Sequence, residues 1–173
     1  TIGRTEGDMT YVKYKEQVFK VSSDIISFAN DSSYNIVSKL QALVDISEVK
    51  SVTVEYNGAE HTIDITHNDS DMTFVLDGQK VDTKITQAIY KSIVGLAVDG
   101  AYKDETLGDT VMKIKYRGIK SSSDTEIEFK SIDDLYCALI RNGKTEFTIK
   151  KSKLNEFMDL FNTYVENPEK QGD

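Results

Sequence analysis

With 173 residues, 39% of them hydrophobic and 29% charged, the chain has the composition of a soluble globular protein, enough for one sizeable core or two small ones. Its net charge of −8, spread along the whole length, repels phosphate backbones and anionic membrane surfaces and so argues against nucleic acid as a partner. One cysteine, Cys137 in the apolar run LYCALI, permits no disulfide within the chain and is read as a small hydrophobe; this leaves the cellular compartment open.

No run reaches the ~18 apolar residues that cross a bilayer, and no basic-then-apolar leader is present. The chain starts at Thr1 on residues that read as the middle of an element, so the expectation is a trimmed or processed chain. In MTYVKYKEQVFKVSSDIISFAN (9–30), residues 11–14 and 18–21 predict a hairpin. Ser22 or Ser23 then caps a short helical turn bearing Ile25 and Phe28. Residues 33–50 place Tyr34, Val37, Leu40 and Val44 on one helical face and are read as a bridging segment.

From residue 51 the rhythm changes to alternation. SVTVEYNG (51–58) is a strand ending in Tyr-x-Gly, and HTIDITHND follows as a second. MTFVLDGQKV then alternates through Met72, Phe74 and Leu76 into Asp77-Gly78, a two-residue hairpin signal. Next, Ile85, Ala88, Ile89, Ile93 and Leu96 fall on one helical face, with Asp82 or Thr83 as the cap. The polar, glycine-punctuated stretch DGAYKDETLGD (99–109) reads as a connector.

The same phrase then returns. VMKIKYRG (111–118) again ends in Tyr-x-Gly, TEIEFKSID is the next strand, and CALIRNGKTEF carries Asn142-Gly143 where the earlier copy has Asp77-Gly78. Phe147 and Ile149 alternate in a last strand. A helix follows with Leu154, Phe157, Met158, Phe161 and Tyr164 or Val165 inward, Ser152 in the N-cap place and Pro168 past its end.

The predicted fold is therefore α+β: tandem modules of three or four antiparallel strands followed by one helix, with the helices packed on one face of the sheets. Residues 1–50 are the back half of a truncated repeat plus the bridging segment, 51–100 the first complete repeat, 101–167 the second, and 168–173 a disordered tail.

Chemistry is hard to find in this pattern. ALIRNGKT (138–145) satisfies a relaxed phosphate-loop spacing, but such a loop needs Lys-Thr to open a helix, and here they open the strand EFTI. The glycine is read as a hairpin glycine, like Gly78. His61 and His67 flank TIDIT, with Asp69 and Asp71 close behind, but a metal needs three or four converging ligands. The stretch is read as an exposed Asn-, Asp- and Ser-rich turn. The calcium-loop pattern fails from Asp69, with Phe74 where Gly is needed and Lys80 where Glu is needed.

A hydrolase with a histidine base would have to use His61 or His67, and no Gly-x-Ser-x-Gly elbow is present. SSSD (121–124) is read as a lengthened loop. Carboxylates are plentiful, and a glycosidase-like pair is not visible from spacing alone; the chain lacks the tryptophan that sugar clefts often use. Most aromatic residues occupy core positions in the pattern, whereas Tyr56 and Tyr116 are read as hairpin-edge residues with hydroxyls in water. No catalytic, cofactor-binding or metal-binding residue is assigned.

TIGRTEGDMTYVKYKEQVFKVSSDIISF, together with LGDTVMKIKYRG running through TEIEFKSIDDLYCALIRNGKTEFTIKKSKLNEF, resembles the bacterial family called domain of unknown function 4340. The likeness lies in hydrophobic rhythm and glycine turns over nearly the whole chain. One departure is Asp109 after Gly108, where family copies often carry a proline soon after the glycine.

The resemblance implies repeated modules outside the cytoplasm behind an N-terminal membrane anchor absent from this chain, in some members linked to exporters of the gliding-motility ABC type. It carries over no functional residues. The expectation is a non-catalytic extracytoplasmic scaffold with protein partners in the cell envelope and no cofactor. The alternative is a binding module for a small ligand or cell-wall polymer, seated between the two copies.

Overall fold

Alternating apolar residues dictate strands here, and glycine-containing turns at short intervals dictate that neighbouring strands run antiparallel. The structure, a computed structural model, describes residues 1–30, 33–36, 38–68 and 71–167. Val37, Asp69, Pro168, the tail 168–173 and the Phe28 side chain lie outside the described residues. The chain divides into two compact units, Thr1–Ser38 and Lys39–Asp173.

The first unit is a three-stranded antiparallel sheet of β1 (Ile2–Glu6), β2 (Met9–Tyr14) and β3 (Gln17–Ser22), in that order. The predicted hairpin is β2–β3, and β1 is an added strand that the sequence did not announce. A 3₁₀ helix over Ser23–Asn30 follows, held to the sheet where the Ser23 amide donates to the Asp8 carbonyl.

The bridging segment does not form the helical face read from its spacing. Helix α1 covers only Ser33–Ile36, and the chain then bends until a 3₁₀ turn at Ile46–Glu48. Asp45 accepts from the Ser47 amide and closes that turn, so a local polar bond displaces the helix there.

In the second unit the strands are β4 (Val49–Tyr56), β5 (Ala59–Asn68), β6 (Asp71–Leu76), β7 (Gln79–Val81), β8 (Gly100–Ala101), β9 (Thr110–Gly118), β10 (Thr125–Ser131), β11 (Tyr136–Arg141) and β12 (Lys144–Lys150). Helix α2 (Thr83–Val94) follows β7, and α3 (Lys151–Glu166) follows β12. All nine strands form one antiparallel sheet in the order β7-β6-β5-β4-β9-β10-β11-β12-β8. The protein is thus mostly antiparallel β in two sheets, with two long helices: an α+β fold.

The hairpins obey their turn residues. Asn57-Gly58, Asp77-Gly78 and Asn142-Gly143 all have positive φ at both positions, the conformation that matches strand twist and favours Asn or Asp before Gly. The second Tyr-x-Gly behaves differently: Gly118 stays in β9, where an added Cβ would lie 2.6 Å from the Lys120 carbonyl oxygen and from the Ser123 Cβ. There glycine serves close packing, under the loop that Asp124 fastens by accepting from the Gly118 amide.

The core follows the alternation. Val52, Val54 and Tyr56 of β4 and Met112, Ile114 and Tyr116 of β9 are all buried. Opposite pairs such as Val54–Ile114 share one face of the central seam. Helix α2 buries Ile85, Thr86, Ile89 and Ile93, and α3 buries Leu154, Phe157, Met158, Phe161 and Tyr164. Each large apolar side chain so covered is worth ~1.5–3 kcal/mol. Ala88 is only half-buried, and Leu96 is buried just past the end of α2.

Asp82 caps α2 as read, accepting from the Lys84 amide. Ser152 does not cap α3, which begins at Lys151 with no side-chain cap from its own N-cap residue, Lys150. Its start is held from elsewhere in the chain. Asp99 accepts from the Lys150 amide at 2.9 Å and from the Lys153 ammonium at 2.8 Å. The stretch 99–109 is therefore more than a connector. It contributes β8, which pairs with Thr148 and Phe147 at the sheet edge, and it anchors the last helix.

Candidate functional site

The residues singled out from sequence separate into fastenings and open surface. Gly143 and Lys144 sit in the β11–β12 turn and at the head of β12, so the phosphate-loop spacing lies on a hairpin. Cys137 is buried in β11, and burial pushes its thiol up from its ordinary value. Ser121–Ser123 form one 3₁₀ turn between β9 and β10.

Tyr56 and Tyr116 do not face water. Both lie on the inward side of the central seam, where the alternation places them with Val54 and Ile114. Tyr116 donates its hydroxyl to the Ala42 carbonyl at 3.0 Å, and burial pushes its phenol well above the ordinary range. Tyr56 donates to Asn162 Oδ1 on α3. Its phenol is raised first by burial and then by the negative charges of Asp77 and Glu166.

A group of polar and aromatic side chains gathers beside Tyr56. His61 Nδ1 lies 2.7 Å from Asp77 Oδ2, while Asp77 Oδ1 accepts from the Thr62 amide at 2.8 Å. The His61 ring stands 5.7 Å from Phe161 and 5.9 Å from Tyr56. A histidine–carboxylate pair is half of a catalytic arrangement. Here its members join the ends of β5 and β6 and carry an aromatic contact to α3, so the geometry is that of a clasp. His67 is separate, with Nε2 at 2.7 Å from the Val49 carbonyl. Among the described residues no three His, Cys, Asp or Glu side chains assemble a metal-ligand set.

The outward side of the central seam carries charge. Lys115 pairs with Glu55, and Lys113 lies 3.7 Å from both Glu126 and Glu128. The hydrogen bond to Glu55 raises the Lys115 ammonium above its usual value. Such partly exposed pairs are worth ~0–1 kcal/mol each and give a wet, salt-sensitive surface. At the end of this seam a shallow hollow of ≈ 330 Å³ is lined by Glu55, Tyr56, Asn57, Glu60, Thr110 and Lys113, among others.

Exposed apolar side chains occur in both units, among them Ile119 and Leu135 in the second and a row on the sheet of the first. Ile2 pairs with Val12 and Val12 with Phe19, so these three side chains share one face of the three-stranded sheet. Ile2 and Phe19 are 46% and 45% exposed. Tyr14 on that face is more exposed still. On the opposite face the Arg4 guanidinium and Lys20 ammonium lie over the Tyr11 ring, and Tyr11 donates to Glu6. Both faces are mixed: the Ile2 face also holds the hydrogen-bonded Thr5 and Thr10 hydroxyls, and the Tyr11 face also holds the 63% exposed Val18.

No family model, curated protein or solved structure matches the chain. Sequence reading missed Ile2 and the pairing of β1 with β2. Their only signal was a lone isoleucine before Gly3, too short a pattern to show alternation. Among the described residues no helix is long and apolar enough to cross a membrane.

Proposed function

We propose that the chain is a non-catalytic extracytoplasmic scaffold or interaction module. In this reading it is an accessory part of a membrane-anchored assembly such as an ABC-type exporter, with protein partners in the cell envelope. The observation that carries the proposal is the row of apolar side chains on one face of the first sheet, where Ile2, Tyr14 and Phe19 stand open beside Val12. Contiguous apolar surface of that kind marks contact sites. The resemblance to the domain of unknown function 4340 family supplies the compartment and the class of partner.

The proposal includes the architecture: residues 51–100 and 101–167 are two copies of one module, and the first unit is the back half of a third, with α2 and α3 covering one face of their sheet. Shared register supports this. The trio Ile65–Phe74–Val81 crosses β5, β6 and β7, and the trio Phe129–Leu139–Phe147 crosses β10, β11 and β12. The middle residue of each lies two positions before the end of its strand, as Val12 does in β2.

The test is affinity purification of the chain from native membranes, with the bound proteins identified. Recovery of exporter subunits or envelope proteins, reduced by Phe19→Asp, supports the reading; recovery of none refutes it. The hollow at the β4–β9 seam favours a second reading, a binding module for a small ligand or cell-wall polymer, because it lies between the two proposed copies. A thermal-shift screen separates the readings, since a ligand at 100 times its Kd adds ~2.7 kcal/mol of stability.

A further inference from the structure

We infer that Asn57 is a site of spontaneous deamidation, where the side-chain amide is exchanged for a carboxylate and the β4–β5 turn is rebuilt in part through an isoaspartyl linkage. This modification goes beyond the scaffold reading and does not depend on which partner the chain has.

Four Asn-Gly or Asp-Gly steps lie in the chain: Asn57-Gly58, Asp77-Gly78, Asp99-Gly100 and Asn142-Gly143. At such steps the glycine has no Cβ to hinder attack by its own amide on the preceding side chain. Three of the four side chains are held by a backbone amide from another strand or helix. Asp77 Oδ1 accepts from Thr62 at 2.8 Å, Asp99 Oδ2 from Lys150 at 2.9 Å and Asn142 Oδ1 from Glu126 at 2.8 Å. The exposed Asn57 side chain makes no hydrogen bond among the described residues.

The neighbouring strand accounts for the difference. Asp77 follows Leu76, which pairs with Ile63, so the next residue across is Thr62, and its amide meets the turn. Asn142 follows Arg141, which pairs with Ile127, and meets Glu126 in the same way. Asn57 follows Tyr56, which pairs with Met112, so the residue due opposite is Val111. There β9 bulges: its pairing with β10 passes from Met112–Phe129 to Thr110–Lys130 and leaves Val111 as the extra residue. A bulge disrupts the ladder locally, and no amide of β9 holds Asn57. The hollow of ≈ 330 Å³ opens at the same place and gives water access to the turn.

The reaction needs only the chain and water. The Gly58 amide, which donates to no backbone acceptor among the described residues, loses its proton to hydroxide, and its nitrogen attacks Asn57 Cγ. The N–Cγ bond forms, the Cγ–Nδ2 bond breaks, and the leaving nitrogen takes a proton from water and departs as ammonia. Water then opens the cyclic imide at Cγ to give aspartate, or at the backbone carbonyl to give isoaspartate, which adds a methylene to the main chain. Either product sets a new negative charge beside Glu55 and Glu60 in a hollow whose lining cation is Lys113. The isoaspartyl form also lengthens a two-residue turn whose geometry matches the twist of β4 and β5.

The test is incubation of the intact, folded chain at mildly alkaline pH, followed by digestion and mass spectrometry of the peptides, with isoaspartate counted by methyltransferase labelling. The expected result is conversion at Asn57 faster than at Asn142 by about fivefold or more, the ratio set by the one hydrogen bond that Asn142 must break. In denaturant the two rates should converge, because both steps are Asn-Gly. Asn57→Gln should remove the main acidic form that isoelectric focusing shows after incubation of the folded chain. An unconverted Asn57, conversion at Asn142 as fast as at Asn57, or a rate difference that survives unfolding each overturns the inference.

Discussion

Replacing Asp99 with alanine removes two acceptors at the start of α3 in one step. The Lys150 amide loses a carboxylate at 2.9 Å, and the Lys153 ammonium loses its ion pair at 2.8 Å while keeping its bond to the Ala97 carbonyl. A side-chain acceptor at a helix N-terminus is worth ~1 kcal/mol. An ion pair to a lysine whose side chain is 33% exposed adds ~0.5–1 kcal/mol after solvent screening. The expected loss is therefore about 2 kcal/mol, or a fall in Tm of roughly 4–8 °C for a chain of this size.

The pH dependence gives a second reading of the same contact. Burial works to raise the Asp99 carboxyl, but the bonds from Lys153 and the Lys150 amide outweigh it and hold the group below its ordinary value. A carboxylate with a depressed folded pKa stabilises the fold above its unfolded pKa, and that contribution is lost as pH falls through the folded value. The gap between parent and Asp99→Ala should be constant near neutrality and close below about pH 4. Urea unfolding followed by circular dichroism at a series of pH values measures it, with Lys153→Met and the double variant completing a cycle. A gap under ~0.5 kcal/mol at neutral pH, or one that persists unchanged into acid, would refute the assignment of Asp99 as the anchor of α3.

Two further substitutions probe the central strands. Gly118→Ala should cost ~1–3 kcal/mol through overpacking against Lys120 and Ser123, measured by chemical unfolding; stability equal to the parent would show that the loop over β9 yields freely. Tyr116→Phe should cost ~1–2 kcal/mol because the Ala42 carbonyl loses its buried donor, and an unchanged unfolding midpoint would mean that water replaces the hydroxyl.

What was legible in the sequence was local. Asp77-Gly78 and Asn142-Gly143 announced their hairpins because positive φ at two successive positions restricts the residues that fit. The stripe from Leu154 to Tyr164 announced α3 because spacing alone decides which side of a helix is buried. What was not legible depended on partners far along the chain. Ser152 had the chemistry of a cap, yet Asp99, more than fifty residues earlier, fills that role. Tyr116 looked like a strand end with a wet hydroxyl, and only the path of residues 39–45 shows its acceptor, Ala42. Spacing also misled at residues 33–50, where a single Asx turn at Asp45 competes with the helix. In the candidate interaction surface, Phe19 was visible within its hairpin, while the exposure of its face followed from which neighbours the fold supplies.

The seam between β4 and β9 has a consequence for how the polypeptide comes together. Val54 meets Ile114, so a valine in the middle of the sheet waits for a residue sixty positions downstream. During synthesis β4 and β5 emerge and pair while the other flank of β4, with Val52, Val54 and Tyr56, stays unoccupied until the later half arrives. For that interval the growing chain presents a sticky, half-finished strand to its surroundings. Slow translation across residues 99–109 would lengthen this exposure, and separately produced halves would each carry a complementary raw flank with which to find the other.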